Sequence, residues 1–224
     1  MANRVLAAGL VVATALLFSL PAAAKGHTEP SWTGFYAGVQ GGGGWAQIDE
    51  DAQGGALTAN QHSNGWLGGG HAGYDWESGK FVFGLEGDFA GADISGHTVC
   101  PQPTLSCQHK INWIATMRPR AGVLVFGDRM LLYGTGGVAF ADIHYKEVNA
   151  TTGQLFGTGY SKTHTGWTVG AGAEYLVTSD ISVRLQFLHD EFNDVTTAAN
   201  TLSANAVHIN PSFDEADIGI SYRF

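Results

Sequence analysis

The sequence predicts an all-β fold, an eight-stranded antiparallel up-and-down transmembrane β-barrel. Eight segments alternate side-chain character with a period of two. The connections between them alternate short and long. No stretch after Lys25 is long and apolar enough to cross a bilayer as a helix, and none reads as a convincing amphipathic helix.

The segments span 33–46, 64–76, 80–92, 110–125, 130–145, 164–177, 180–190 and 213–224. They exceed the roughly 5–6 residues of an ordinary globular strand and match the roughly 9–11 residues of a tilted membrane crossing. In 66–76, Trp66, Ala72, Tyr74 and Trp76 share a face opposite His71 and Asp75. In 80–89, Phe81, Phe83, Leu85 and Phe89 alternate with Glu86 and Asp88. The fifth segment, 130–145, allows no assignment of faces. The sixth is the clearest. Trp167, Val169, Ala171, Ala173 and Tyr175 form an apolar face with an aromatic at each end, opposite Gly166, Thr168, Gly170, Gly172 and Glu174. Contact with hydrocarbon between two interfacial girdles demands that pattern. In the seventh, Ile181, Val183, Leu185 and Phe187 alternate with Ser182, Arg184 and Gln186. In the last, Ile218, Ile220, Tyr222 and Phe224 oppose Asp217, Gly219, Ser221 and Arg223.

Tight turns join the second segment to the third through Glu77-Ser78-Gly79, the fourth to the fifth through Phe126-Gly127-Asp128-Arg129, and the sixth to the seventh near Ser179. Long connections are expected over 47–63, 93–109, 146–163 and 191–212. A start and an end on the short-turn side require an even number of strands. Glycine supplies 32 of 224 residues, about twice its usual share of ~7%. Strongly coiled strands around a crowded lumen need residues without a Cβ, as in Gly41 to Gly44 and Gly68 to Gly70. A phosphate-cradling loop does not fit, since neither a strand-to-helix context nor a Gly-Lys-Ser/Thr run follows.

Residues 1–24 read as a signal peptide and 25–224 as the barrel domain. Arg4 supplies the positive start, an apolar run extends from Val5 to Leu20, and Pro21 precedes the small residues Ala22-Ala23-Ala24 that a signal peptidase requires. The run is shorter than the roughly 20 residues of a membrane anchor, and no Cys follows for lipid attachment. An exported barrel belongs in the bacterial outer membrane, with its lipids as partner. The formal charge of −9 argues against a nucleic-acid partner.

The outward faces leave Glu86, Asp88, Arg118, Arg120, Glu174, Arg184, Asp217 and Arg223 inside, with Gln40, His71 and Gln186. Isolated charges there would each cost several kcal/mol, whereas four arginines beside four carboxylates can pair. The lumen is therefore expected to be plugged and ion-paired. A diffusion pore does not fit, because eight strands enclose little beyond side chains. Acid–base catalysis by Glu86 with Asp88, or by Glu174, is disfavoured because a self-neutralised lumen leaves no substrate pocket.

Several stretches resemble the alphaproteobacterial porin-family or outer-membrane immunogenic proteins, which are similar to the OmpA-type transmembrane barrel. They are Trp32-Thr33-Gly34-Phe35-Tyr36-Ala37-Gly38, Thr116-Met117-Arg118-Pro119-Arg120-Ala121-Gly122, the run Leu131 to Ala139, the run Gly166 to Tyr175 and the ending Tyr222-Arg223-Phe224. The resemblance covers nearly all of 25–224 and is weakest in the long connections. It implies a structural, surface-exposed envelope role, with haem binding described for some relatives. Ile218, Ile220, Tyr222 and Phe224 also resemble the terminal signal read by the barrel-assembly machinery.

Cys100 and Cys107 stand in one long connection, where an oxidising compartment favours a disulfide. A metal site with His109 is the alternative. Seven of the nine histidines, His62, His97, His109, His144, His164, His189 and His208, fall in surface loops or at outer strand ends. Solvated loop composition explains them, and a haem- or metal-binding rim at His62, His97, His109, His189 and His208 is the sharper reading. His62-Ser63-Asn64 hints at a hydrolase without any sign of triad geometry. The sequence thus reads as a non-enzymatic envelope barrel without a cofactor. The alternatives are loop-mediated binding of haem, metal or a host or phage partner, and a narrow channel.

Overall fold

The computed structural model describes residues 31–52, 57–99, 105–149, 151–152, 154–193, 195–197 and 207–224. The expected signal peptide, 1–24, lies outside them. Nine strands follow in order: β1 (Gly34–Ala52), β2 (Leu57–Ser78), β3 (Phe81–Val99), β4 (Leu105–Val125), β5 (Met130–Asn149), β6 (Leu155–Leu176), β7 (Ile181–Phe192), β8 (Val195–Thr197) and β9 (Val207–Arg223). Each long strand pairs antiparallel with its neighbours, in the order β1 to β7 and then β9. β1 pairs with β9 from Tyr36↔Arg223 to Ala52↔Val207, which closes the sheet. β8 pairs only with the far end of β9, at Val195↔Ile209 to Thr197↔Val207. The barrel is therefore eight-stranded, closed and antiparallel, with β8 as an added rung. Among the described residues no helix is long and apolar enough to cross a membrane.

Side chains obey the period-two rule around the whole wall. Phe35, Trp66, Phe83, Met117, Val169, Leu185, Ile218 and Ile220 are exposed, while Tyr36, Leu67, Val82, Arg118, Thr168, Arg184 and Asp217 between them are buried. The fifth segment acquires a plain assignment: Leu131, Tyr133, Thr135, Ala139, Ala141 and Ile143 point in, and Leu132, Val138 and Phe140 point out. Aromatic side chains gather at both ends of the apolar band. Near the short turns Phe35 meets Tyr74 edge-to-face at a centroid separation of 4.7 Å, and Tyr74 meets Trp76 in a tilted contact at 4.6 Å. Phe89 stacks on Trp113 at 5.7 Å at the other end.

The long connections are shorter than expected. β1 runs to Ala52, β2 begins at Leu57, and β3 and β5 extend to Val99 and Asn149. Their far halves invert the pattern seen in the band. In β4, Met117 is exposed and Arg118 buried, but toward the far end the apolar Ile114 and, beyond Trp113, Ile111 are buried while Lys110 is exposed. A register shift between Ile111 and Trp113 accompanies the change. A strand that leaves hydrocarbon for water has no reason to keep apolar groups outside, so a search for lipid-type alternation stops where the strand continues.

The short turns match expectation. Gly79 has φ +62°, and Phe126, Gly127 and Asp128 have φ +51°, +69° and +64°, the left-handed region that glycine tolerates most easily. The Lys80 ammonium reaches Asp128 Oδ1 at 2.5 Å and ties two turns together.

Inward glycines respond to a separate constraint. A Cβ on Gly69 would stand 2.0 Å from the Phe89 carbonyl oxygen, whereas one on the outward Gly68 would clear its nearest neighbour by 3.7 Å. Gly69→Val is expected to cost about 3 kcal/mol or more through overpacking against backbone, and Gly68→Val to be tolerated. The fraction of unboiled protein migrating as the compact species on SDS gels should fall for the first variant and hold for the second.

Candidate functional site

The interior is a stack of three zones. Nearest the short turns, Trp32, Val82, Leu124, Leu131, Tyr133 and Leu176 form an apolar cluster. Trp32 is fully buried and held on every side. Its backbone N–H donates to Glu77 Oε2 at 2.8 Å, its indole N–H to the Asp128 carbonyl at 2.9 Å, and its own carbonyl accepts from Arg223 Nη2 at 2.5 Å. The Arg223 guanidinium also lies over the indole ring, 4.8 Å from its centroid.

Charged groups fill the middle zone. Glu86 on β3 accepts from Arg118 at 2.9 Å, from Arg184 at 2.7 Å, from Arg120 at 3.5 Å and from the Tyr36 hydroxyl at 2.8 Å. Asp75 on β2 receives the Arg120 fork at 2.9 and 2.5 Å and Arg223 at 2.6 Å. Glu174 on β6 receives Arg120 at 2.9 Å, Arg223 at 3.3 Å and the Ser182 hydroxyl at 2.6 Å. Arg184 also donates to Gln40, and Arg118 pairs with Asp88 at 2.7 Å. Several ties join strands that are not neighbours: β3 to β7 through Glu86 and Arg184, and β4 to β6 through Arg120 and Glu174. They cross the lumen. Planar guanidinium groups suit this role, since each presents several donors in fixed directions. The Arg120 guanidinium further lies 4.5 Å from the Tyr36 ring and 5.2 Å from the Tyr133 ring.

Toward the far end, Leu67, Ile94, Ile111, Ile114, Ile143, Phe192 and Phe213 belong to a second buried apolar cluster. Sequence alternation does not reveal this zone, because the polar-inside rule of the membrane band does not extend along the whole strand.

Each of Glu86, Asp88, Arg118, Arg120, Glu174, Arg184, Asp217 and Arg223 is buried inside the barrel. The structure adds Asp75, Asp190 and Glu215, so the interior holds more acid than the balanced set expected. Asp75 was legible by face, opposite Trp76. Asp190 and Glu215 lie where the alternation passes into the long connections. Ile218, Ile220, Tyr222 and Phe224 all face outward.

Cys100 and the Cys107 side chain lie outside the described residues, as do the side chains of His62, His97, His109 and His208. Of the rim expected from histidines, His189 holds Asp214 at 2.7 Å beside the Trp167 ring. His164, expected at the surface, is buried, because its β6 position faces inward. Ser63 is also buried. Asp142, His144 and Ser161 do come together on the outer wall, at 2.9 and 3.2 Å. Both contacts use His144 Nε2, whereas a charge-relay triad requires one ring nitrogen for each partner. Among the described residues, no three His, Cys, Asp or Glu side chains are grouped to hold a metal ion.

Comparisons with known proteins agree with this architecture. The family described as "Outer membrane protein beta-barrel domain" matches residues 10–224. The chain is similar to the "31 kDa outer-membrane immunogenic protein" of Brucella melitensis, with 29% identity over 243 residues covering 100% of this chain and 95% of that protein. It is similar to the "22 kDa outer membrane protein" of Rhizobium leguminosarum bv. viciae, with 32% identity over 164 residues covering 72% of this chain and 65% of that protein. Among solved structures, the outer membrane protein OprG of Pseudomonas aeruginosa superposes with a TM-score of 0.53 at 12% identity, covering 87% of this chain and 98% of that one, a likeness of fold alone.

Glu86 is the acid on which Arg118, Arg120 and Arg184 converge. Glu86→Gln leaves buried guanidinium charge uncompensated and is expected to cost about 3–5 kcal/mol. A lowered urea midpoint of the folded barrel in detergent micelles checks it.

Proposed function

This chain belongs to the outer-membrane protein β-barrel family, and from that premise we propose that it is a structural, surface-exposed component of the bacterial outer membrane, plugged by its own side chains and without enzymatic activity. The observation that carries this reading is the layer of cross-lumen ion pairs between two buried apolar clusters. A continuous water path would have to pass through side chains that already neutralise one another. Surface exposure draws on the relatives named as immunogenic proteins of Brucella.

Three further assignments complete the proposal. Residues 1–24 act as a cleaved export signal, and 25–224 form the mature barrel domain. The outward row Ile218, Ile220, Tyr222 and Phe224 serves as the terminal signal for the assembly machinery. Cys100, which follows β3 in sequence, and Cys107, which lies in the first residues of β4 and not in the long connection expected for it, close a disulfide.

Two measurements test these statements. In planar lipid bilayers the refolded protein is expected to give no stable single-channel steps, and reproducible ohmic steps would refute the plug. The mature protein, denatured without reductant, should take up no maleimide, and two labels per chain after reduction; labelling before reduction would count against the disulfide.

A further inference from the structure

The buried charges divide unevenly along the barrel axis. Nearest the short turns, Asp75, Glu86 and Glu174 face Arg120, Arg184 and Arg223, and every member is in an ion pair. One step toward the far apolar cluster stand Asp88, Asp190, Glu215 and Asp217, all buried, and the cation that belongs to this layer is Arg118. Arg118 gives its Nη2 to Glu86 and Asp88, and its other two nitrogens make no hydrogen bond. Arg184 reaches Asp217 only at 3.8 Å. Among the described residues no ion pair reaches Asp190 or Glu215.

Asp190 and Glu215 are close by construction. Asp190 pairs in register with Phe213 and Glu215 with Leu188, so the two acids are diagonal neighbours on β7 and β9. Thr168 on β6 stands directly across from Asp190 on its other side. A second observation does not depend on counting charges. Asp190 is 0% exposed, and neither of its carboxylate oxygens has a hydrogen-bond partner of standard geometry, nor does the Thr168 hydroxyl. Acceptors enclosed in this way need a donor or a cation, since an ionised carboxylate buried without either costs several kcal/mol.

We propose that the layer formed by Asp190, Glu215 and Thr168, with Asp217 and Asp88 completing the negative field, is an internal binding site for a small monovalent inorganic cation. The carboxylates and the Thr168 hydroxyl offer oxygen ligands of the hard kind that alkali cations take. A divalent ion fits less well, because no three acidic or imidazole groups converge to form its inner shell among the described residues. The far apolar cluster directly above, with Phe192 and Phe213 at its base, would hold the cation in a low-dielectric enclosure, where its attraction to the acids is strongest.

The test uses the full mature barrel refolded in a zwitterionic detergent at fixed alkaline pH. Thermal midpoints are read by circular dichroism in sodium, potassium or choline chloride at equal ionic strength. In sodium or potassium the midpoint should exceed that in choline by several degrees and saturate with concentration. D190N/E215Q should abolish the difference and raise the choline midpoint; D190N alone serves if the double variant fails to give the compact band on unboiled gels. Equal midpoints in all three salts would overturn the proposal and mean that protons neutralise the layer. A sodium or potassium effect that persists in the variants would also overturn it, by placing the cation elsewhere.

Discussion

In hydrocarbon no water is available to satisfy a peptide group, so every backbone N–H and C=O in the membrane must find its partner within the protein. For strands this demands a sheet without edges. The pairing of β1 with β9 over seventeen residue positions supplies the closure. The exposed apolar wall follows, since a closed cylinder in lipid has its hydrophobic surface outside. The polar centre follows too, since the face turned away from lipid is free to carry charge.

Closure creates a second problem, which the interior solves. Eight strands curl tightly, and the wall on the concave side has too little room for side chains at every inward position. Glycines relieve the crowding where one strand's Cβ would meet the carbonyl of the next, as at Gly69 and Gly42. The remaining inward positions carry large groups that reach across: Arg118, Arg120, Arg184 and Arg223 against Asp75, Glu86 and Glu174. Cross-lumen ties of this kind brace strands that share no backbone hydrogen bonds. They are not by themselves a large source of stability, because desolvation offsets much of their attraction. Their consequence is mutual dependence, in which loss of one acid exposes several cations.

The same barrel passes through two solvents. Within the aromatic girdles the polar side chains are inside. Beyond them, where the strands rise into water, the apolar side chains are inside and Lys110 and Asp93 pair on the outer surface. The protein thus joins a membrane barrel to the base of a water-soluble one without interrupting the sheet, and the register shifts at Gly91/Ile94 and Ile111/Trp113 lie at that junction. Family membership places the barrel in the outer membrane, while the fold itself is shared by proteins of many roles. Particular function on such a scaffold resides in the outer connections and in the groups enclosed within it.

Alternation of side chains, with turn residues and the alternating lengths of the connections, determined the strand number, the antiparallel order, the three short turns and the outward faces of the second, third, sixth, seventh and last segments. Each of these depends only on neighbours in sequence and on the requirement that one face meet lipid. It also assigned the inward arginines and carboxylates, because a charge cannot face hydrocarbon. Only the tertiary structure decided which partner each charge meets, since Glu86 and Arg184 are brought together by curvature across the lumen and not by spacing. It alone decided where the strands end, because the pattern reverses in water, and it alone brought Asp190 and Glu215 inside. Periodicity records the solvent on a strand's two faces, whereas contact across a closed barrel depends on its radius and on the stagger of its strands.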